Sequence, residues 1–235
     1  MTIAVVIPAL NEELSVGSVV EELLALENAD GSPIIDDLVV CDNGSTDATA
    51  HCVLEAGGRV VHEGTPGYGA ACLAAVAALK PSDVILFTDA DRAFYASQAL
   101  RLLTGIAAGA DLVIGSRTLG NIERQALTTS QRFGNSLACR LIRLFWGQKM
   151  TDLGPYRAIR RTAYEHINMR DRAYGWTVGM QVKAIARGLQ VVEVPVDTRR
   201  RVGKSKISGT VRGVIGAGVG ILGMIAKLRF MSTKE

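Results

Sequence analysis

The stretch Val84-Ile85-Leu86-Phe87-Thr88-Asp89-Ala90-Asp91 decides how this chain is read. Four consecutive apolar residues suit a strand buried on both faces, the kind found in parallel sheets covered by helices. Two carboxylates, two positions apart, follow it directly. From a strand end, Asp89 and Asp91 can bring oxygen ligands to one hard divalent cation and to a diphosphate bound with it. An acid pair in a loop is common; its place after a buried strand gives this one weight.

Similar strands lie on both sides. Residues 2–8 form an apolar run closed by Pro8, residues 37–41 a second, residues 59–62 a short third, and residues 111–115 another. Helical periodicity fills the intervals. Residues 12–27 place Val16, Val19, Val20, Leu23 and Leu24 on one face. The turn Asp42-Asn43-Gly44-Ser45-Thr46-Asp47 runs into a helix with Ser45 or Asp47 near its N-cap. Further helices are expected at residues 70–79 and around 97–108. Strands alternating with helices predict an α/β fold, a mainly parallel sheet covered on both faces. Ligands of such sheets bind beyond the carboxyl ends of the strands. Pro8, Asn11, Asp42, Asp89, Asp91 and Arg117 all follow strand ends and therefore share one rim.

The second half is more helical and more basic. Residues 132–146 carry a stripe of Leu137, Leu141, Leu144 and Phe145, and residues 176–187 read as a helix stopped by Gly188. A strand is expected at 189–194, then a basic surface loop over 198–209. Trp176 reads as a core or rim aromatic. The division is one domain over residues 1–210 and an apolar C-terminal helix over 211–235.

Charge follows the same division. Residues 1–120 hold 16 Asp and Glu and 5 Lys and Arg, which gives −11; residues 121–235 hold 7 and 21, which gives +14. An acidic half can host a cation, and a basic half suits phosphates or anionic lipid. Four cysteines without CxxC spacing indicate free thiols in a reducing cytoplasm. The first apolar run has no basic segment before it, so no secretory leader is expected. Residues 213–226 are apolar and uncharged, about 21 Å as a helix against a hydrocarbon core of roughly 30 Å. That is too short to span. The segment either lies at a headgroup boundary, with Arg212, Lys227 and Arg229 on anionic lipid, or packs on protein through Gly216 and Gly220. Residues 64–69 form a glycine loop before a helix, yet lack the Lys-Ser/Thr of a P-loop. No GxGxxG follows the first strand, which weakens a dinucleotide-dependent dehydrogenase reading.

The segments Ile7-Pro8-Ala9-Leu10-Asn11-Glu12-Glu13, Val40-Cys41-Asp42-Asn43-Gly44-Ser45-Thr46-Asp47 and Phe87-Thr88-Asp89-Ala90-Asp91 together resemble the GT-A nucleotide-sugar transferases of glycosyltransferase family 2. Gly115-Ser116-Arg117, Gln131-Arg132-Phe133-Gly134-Asn135, Asp152 to Arg157, Gly175-Trp176 and Arg200-Arg201-Val202-Gly203-Lys204-Ser205-Lys206 narrow the resemblance to the dolichyl- or polyprenyl-phosphate mannose and glucose synthases. It covers about residues 3–210. It implies a GT-A fold and an inverting transfer of a hexose from a GDP-mannose or UDP-glucose type donor to polyprenyl phosphate, with Mg²⁺ or Mn²⁺. The enzyme would be cytoplasmic, peripheral on the cytoplasmic membrane face, with no nucleic-acid partner. Pro8, Asn11 and Glu12 would shape the nucleotide pocket, and Asp42 would accept from the imino N–H of the base. Asp89 would sit nearer the sugar, with Asp91 as metal ligand. Arg117 and Arg132 would face phosphates, while Arg201, Ser205 and Lys206 would lie on a loop closing over donor or acceptor phosphate.

Three departures stand out. Asn43 replaces a frequent second aspartate, Ala93 stands where the synthases often carry a third polar metal neighbour, and neither Gly179 nor Gln181 is the glutamate common in relatives. The histidines His51, His62 and His166 match no catalytic motif. A phosphate acceptor needs no base, because its oxygens are already anionic, whereas a hydroxyl acceptor does. Asp89 and Asp152 remain open as a base. A soluble phosphorylated or hydroxylated acceptor, and a non-catalytic nucleotide-sugar-binding relative, are the alternative readings.

Overall fold

A computed structural model describes residues 1–203 and 211–231. The six expected strands and one more form a seven-stranded sheet. Strands β1 (Ile3–Ala9), β2 (Asp37–Asp42), β3 (Arg59–His62), β4 (Val84–Phe87), β5 (Leu112–Ser116), β6 (Arg157–Arg160) and β7 (Val191–Pro195) lie in the order β3-β2-β1-β4-β6-β5-β7. All neighbouring pairs are parallel except those of β6, which runs antiparallel to both β4 and β5. Strand β6 is not among the strands expected from the sequence. The cause of its direction is connectivity. Strand β5 ends at the rim, the chain from 117 to 156 never crosses to the opposite edge in a strand, and β6 therefore starts at the rim and runs back.

Alternation along the strands divides the core in two. Val6, Val39, Cys41, Ile85, Phe87, Leu112 and Ile114 face one layer; Val5, Ile7, Leu38, Val40, Leu86 and Val113 face the other. Helices α1 (Val16–Leu24) and α4 (Ala99–Ala107) cover the second face. Helices α3 (Tyr68–Ala77), α5 (Thr129–Trp146), α6 (Arg161–Ile167), α7 (Trp176–Ala186) and α8 (Val211–Met231) build the first. Helix α2 (Thr49–Glu55) follows the turn after β2. Trp176 is fully buried and sits edge-on to Phe87, as expected of a core aromatic.

Several boundaries differ from the sequence reading. Helix α1 starts four residues later than expected, because Ser15 and Val16 both donate to the Glu12 carbonyl in a tight turn, with Asn11 at positive φ. The helix after the β2 turn has Ala48, not Ser45 or Asp47, at its N-cap, although Asp47 accepts from the Thr49 N–H. Helix α5 begins three residues earlier. Thr128 accepts from the Gln131 N–H and the Gln131 side chain accepts from the Thr128 N–H, a reciprocal cap that fixes the start.

The C-terminal helix extends beyond its apolar run at both ends. Among the described residues, no helix is long and apolar enough to cross a membrane. Helix α8 packs on α5 and α7, burying Ile225 in the core, and Gly220 lets it lie close on Tyr174. Its other face leaves Val219, Leu222 and Phe230 exposed. The packing expected of Gly216 and Gly220 is therefore observed, with both glycines against Tyr174.

Candidate active site

At the carboxyl ends of β1, β2 and β4 two rim loops knit together by side chain to backbone exchange. The Asn11 N–H donates to Ser45 Oγ (2.9 Å) and the Thr46 N–H donates to Asn11 Oδ1 (2.8 Å). The Glu12 N–H donates to Thr49 Oγ1 (2.8 Å). Pro8 and Ala9 pair across β1 and β2 with Cys41 and Asp42, which brings Asp42 beside this junction. Asp42 is buried, accepts from the Ser45 N–H through Oδ1 (2.9 Å), and has His62 Nδ1 3.3 Å from Oδ2.

The acid pair sits one strand over. Asp91 is buried, and its Oδ1 accepts from the Ala93 N–H (3.0 Å). The position expected to supply a third polar side chain thus supplies a backbone donor instead. Arg201 bridges two carboxylates: Nη2 lies 2.9 Å from Glu12 Oε1 and Nη1 lies 3.2 Å from Asp91 Oδ2. The segment carrying it is laced to the acid loop. The Arg199 N–H donates to the Ala93 carbonyl and the Val202 N–H to the Asp91 carbonyl, while Arg92 and Arg199 share Glu22. Arg92 itself is in the left-handed region at φ 61°, the sharp corner that aims Asp91 back toward the rim. Asp89 is half-buried and accepts from the Tyr68 hydroxyl (3.0 Å). Burial, then the adjacent Asp91 charge, push its carboxyl up to about 7, against the Tyr68 hydrogen bond and the charges of Arg201 and Arg117.

Arg117 and Arg132 occupy a separate cavity of about 360 Å³ between α5 and the 149–152 turn. Arg117 spends its fork on Asp152. Its backbone N–H and Nε donate to Oδ2 (both 2.8 Å) and Nη2 donates to Oδ1 (2.7 Å). Asp152 is fully buried, and Glu193 holds its turn by accepting from the Thr151 and Asp152 N–H groups. Arg132, Arg140, Arg143 and Lys149 line the same cavity, exposed, and among the described residues none of them forms an ion pair. Ser205 and Lys206 lie outside the described residues.

Glu12, Asp91 and Arg201 are thus in direct contact, Asp42 and Asn11 are joined through the 45–46 turn, and Arg117 with Arg132 forms a second group. Sequence reasoning missed Tyr68, Arg140, Arg143 and Lys149, and gave Asn43 and Arg157 no role in the site. Residues 132, 136, 139, 140 and 143 fall on one face of α5, and that spacing was the available signal. Arg157 left none. It is fully buried, donates to the carbonyls of Leu153, Gly154 and Thr177, and keeps a cation under the site although burial lowers its pKa to about 10.

The donor set suits a hard divalent ion. Asp91 Oδ2 already faces a cationic group, and both acids offer oxygen. Among the described residues, no group of three or more His, Cys, Asp or Glu converges to hold a metal alone. Two carboxylates with diphosphate and water completing the shell is the arrangement Mg²⁺ and Mn²⁺ accept.

Comparison with known proteins fits this architecture. The sequence matches the glycosyl transferase family 2 profile over residues 4–167, and the chain belongs to that family and is a glycosyltransferase. It is 34% identical over 91% of its length to an uncharacterised glycosyltransferase of Mycobacterium tuberculosis, covering 93% of that protein. It is 30% identical over 87% of its length to the dolichyl-phosphate hexose transferase of Haloferax volcanii, covering 86% of it. The crystal structure of M. tuberculosis glucosyl-3-phosphoglycerate synthase with Mn²⁺ and UDP-glucose superposes with a TM-score of 0.76 at 23% identity, over 96% of this chain and 78% of that one. That likeness shows the GT-A fold.

Proposed function

From membership of that family we propose an inverting, metal-dependent hexosyltransferase that moves sugar from a nucleotide-diphosphate donor to polyprenyl phosphate at the cytoplasmic membrane face. The observation that carries the acceptor is the cavity on α5. Four exposed cations surround it, and its one carboxylate, Asp152, is already neutralised by Arg117. Such a cavity favours an anion brought by a ligand.

Roles follow from position. Asp42 accepts from the nucleotide base, with Pro8, Asn11 and Glu12 shaping the pocket. Asp91 and Asp89 hold the divalent ion and the reacting end of the donor. Arg201, with Ser205 and Lys206, closes over phosphate, leaving Glu12 and Asp91 as it does so. A bound Mg²⁺ or Mn²⁺ would offset charge on the departing nucleoside diphosphate. Arg132, helped by Arg140, Arg143 and Lys149, orients the acceptor phosphate, whose oxygen attacks without losing a proton. Arg117 acts through Asp152 by fixing the cavity wall.

A small phosphorylated acceptor is the second reading, since a structural neighbour was crystallised with phosphoglyceric acid. What favours a lipid is the adjoining surface. Helices α5 and α8 pack together and expose Phe133, Leu144, Phe145, Val219, Leu222 and Phe230. Residues 1–210 are proposed as the transferase domain and 211–235 as its membrane-facing appendage. The test is release of UDP or GDP from UDP-glucose and GDP-mannose with Mn²⁺, with and without polyprenyl phosphate. Turnover stimulated by the lipid phosphate is expected; turnover indifferent to it and stimulated by 3-phosphoglycerate would overturn the lipid reading.

A further inference from the structure

The glycine loop before α3 has no part in the function so far, yet the structure ties it to the acid pair. Asn43 reaches over from the β2 turn. Its Nδ2 donates to the Glu63 and Thr65 carbonyls (2.8 Å each), and its Oδ1 accepts from the Gly67 N–H (2.8 Å). From the other side the 171–172 backbone presses in. The Ala70 N–H donates to the Arg172 carbonyl (3.0 Å), and a Cβ at Gly67 or Gly69 would collide with the Arg172 or Asp171 carbonyl oxygen. Tyr68, between those two glycines, is held with its hydroxyl 3.0 Å from Asp89 Oδ1.

We propose that Tyr68, the first residue of α3, is a positioning residue for Asp89, held in place by the preceding loop that Asn43 braces; this rests on the site reading above. With Oδ1 engaged by a neutral donor, Asp89 turns its other oxygen toward the donor substrate in one orientation. A phenol does this without adding a positive charge that would compete with a divalent ion, as a lysine there would. The same geometry gives a reason for Asn43. A carboxylate accepts only, so an aspartate there would set the oxygen replacing Nδ2 against the Glu63 and Thr65 carbonyls and loosen the loop.

The experiment compares Tyr68→Phe, Tyr68→Leu, Asn43→Asp and Asp91→Asn in the full chain. Calorimetry measures Mn²⁺·UDP and Mn²⁺·GDP binding, Mn²⁺ EPR records the ion's environment, and thermal unfolding gives Tm. Tyr68→Phe is expected to weaken the better-bound complex roughly tenfold and alter the EPR line shape while leaving Tm near wild type. Tyr68→Leu should add a loss of Tm, and Asn43→Asp should weaken binding in the same direction. Wild-type binding and EPR in Tyr68→Phe, beside an Asp91→Asn that no longer binds, overturns the Tyr68 proposal alone. Binding and Tm falling in step in Tyr68→Phe and Tyr68→Leu would reduce Tyr68 to a packing residue and overturn it equally. Normal binding by Asp91→Asn overturns the reading of the site, and the role of Tyr68 with it.

Discussion

The acidic rim and the basic cavity are built on opposite principles. At the rim each charge has a counter-charge or a donor from within the chain: Glu12 and Asp91 hold Arg201, Asp42 holds Ser45, Asp89 holds Tyr68. In the cavity the lone carboxylate is consumed by Arg117, and Arg132, Arg140, Arg143 and Lys149 stand exposed around empty space. A rim of that kind keeps its shape before ligand arrives and must exchange partners to bind. A cavity of the other kind depends on its ligand for neutrality. The first should therefore be sensitive to single side-chain contacts, and the second to ionic strength.

The largest effect expected is at Asp91. Asp91→Asn should weaken Mn²⁺-dependent nucleotide binding by about 100-fold or more while the fold persists. Calorimetry in parallel with circular dichroism checks it, and binding indifferent to the mutation or to EDTA would erase the distinction between the two regions. Next is the cavity. Arg140→Glu or Arg143→Glu should raise the KM for polyprenyl phosphate roughly tenfold, since each reversal places a carboxylate where an anion is to sit. Raising NaCl from low to near-molar concentration should weaken acceptor use far more than Mn²⁺·nucleotide binding, because exposed charges are screened and buried ones much less. Equal salt dependence on both sides would break the comparison.

Arg201→Gln sharpens it at smaller amplitude. Removing the resident cation should raise Mn²⁺ affinity in the absence of nucleotide by a few-fold, since Asp91 and Glu12 lose a competitor. The same variant should bind nucleoside diphosphate more weakly. A variant that weakens both would show that the guanidinium holds the acids in shape and does not compete for them.

The smallest effect concerns the anchor of the Arg199 segment. Burial alone would raise the Glu22 carboxyl, but hydrogen bonds and charge from Arg92 and Arg199 outweigh it and lower its pKa. A depressed carboxylate contributes stability that is full above its unfolded value and is lost as pH falls through the folded one. The wild type should therefore lose slightly more stability than Glu22→Gln below about pH 4.5, by less than about 1 kcal/mol because the pair is partly exposed. Urea midpoints from pH 7 to pH 3 measure the difference.

What the sequence disclosed divides along the same line. Strand ends are punctuated locally, by Pro8, by Asp42 with its turn, and by the acid pair after Phe87, so the rim was legible together with the parallel sheet. The contacts of Arg201 with Glu12 and Asp91 span 189 and 110 residues (201 − 12 and 201 − 91), and no local pattern encodes them. Tyr68 was hidden differently: a tyrosine between two glycines reads as loop chemistry until the 171–172 backbone is seen against the glycines on either side of it. The partner of Arg117 was equally out of reach, because Asp152 is a turn residue in sequence and a buried counter-ion only once β6 returns beside β5.

That return has a consequence for synthesis. Strand β4, with the acid pair at its end, finds its second neighbour only in β6, where Phe87 pairs with Arg157, 70 residues later (157 − 87). At roughly 5–20 residues per second, the ribosome leaves that edge unpaired for several seconds after β3, β2, β1 and β4 could have joined. An apolar strand with an open ladder is a template for another chain. Nascent chains halted between residues 90 and 155 should accordingly be the ones that aggregate or recruit chaperones, and chains extended past Arg160 should be released from both.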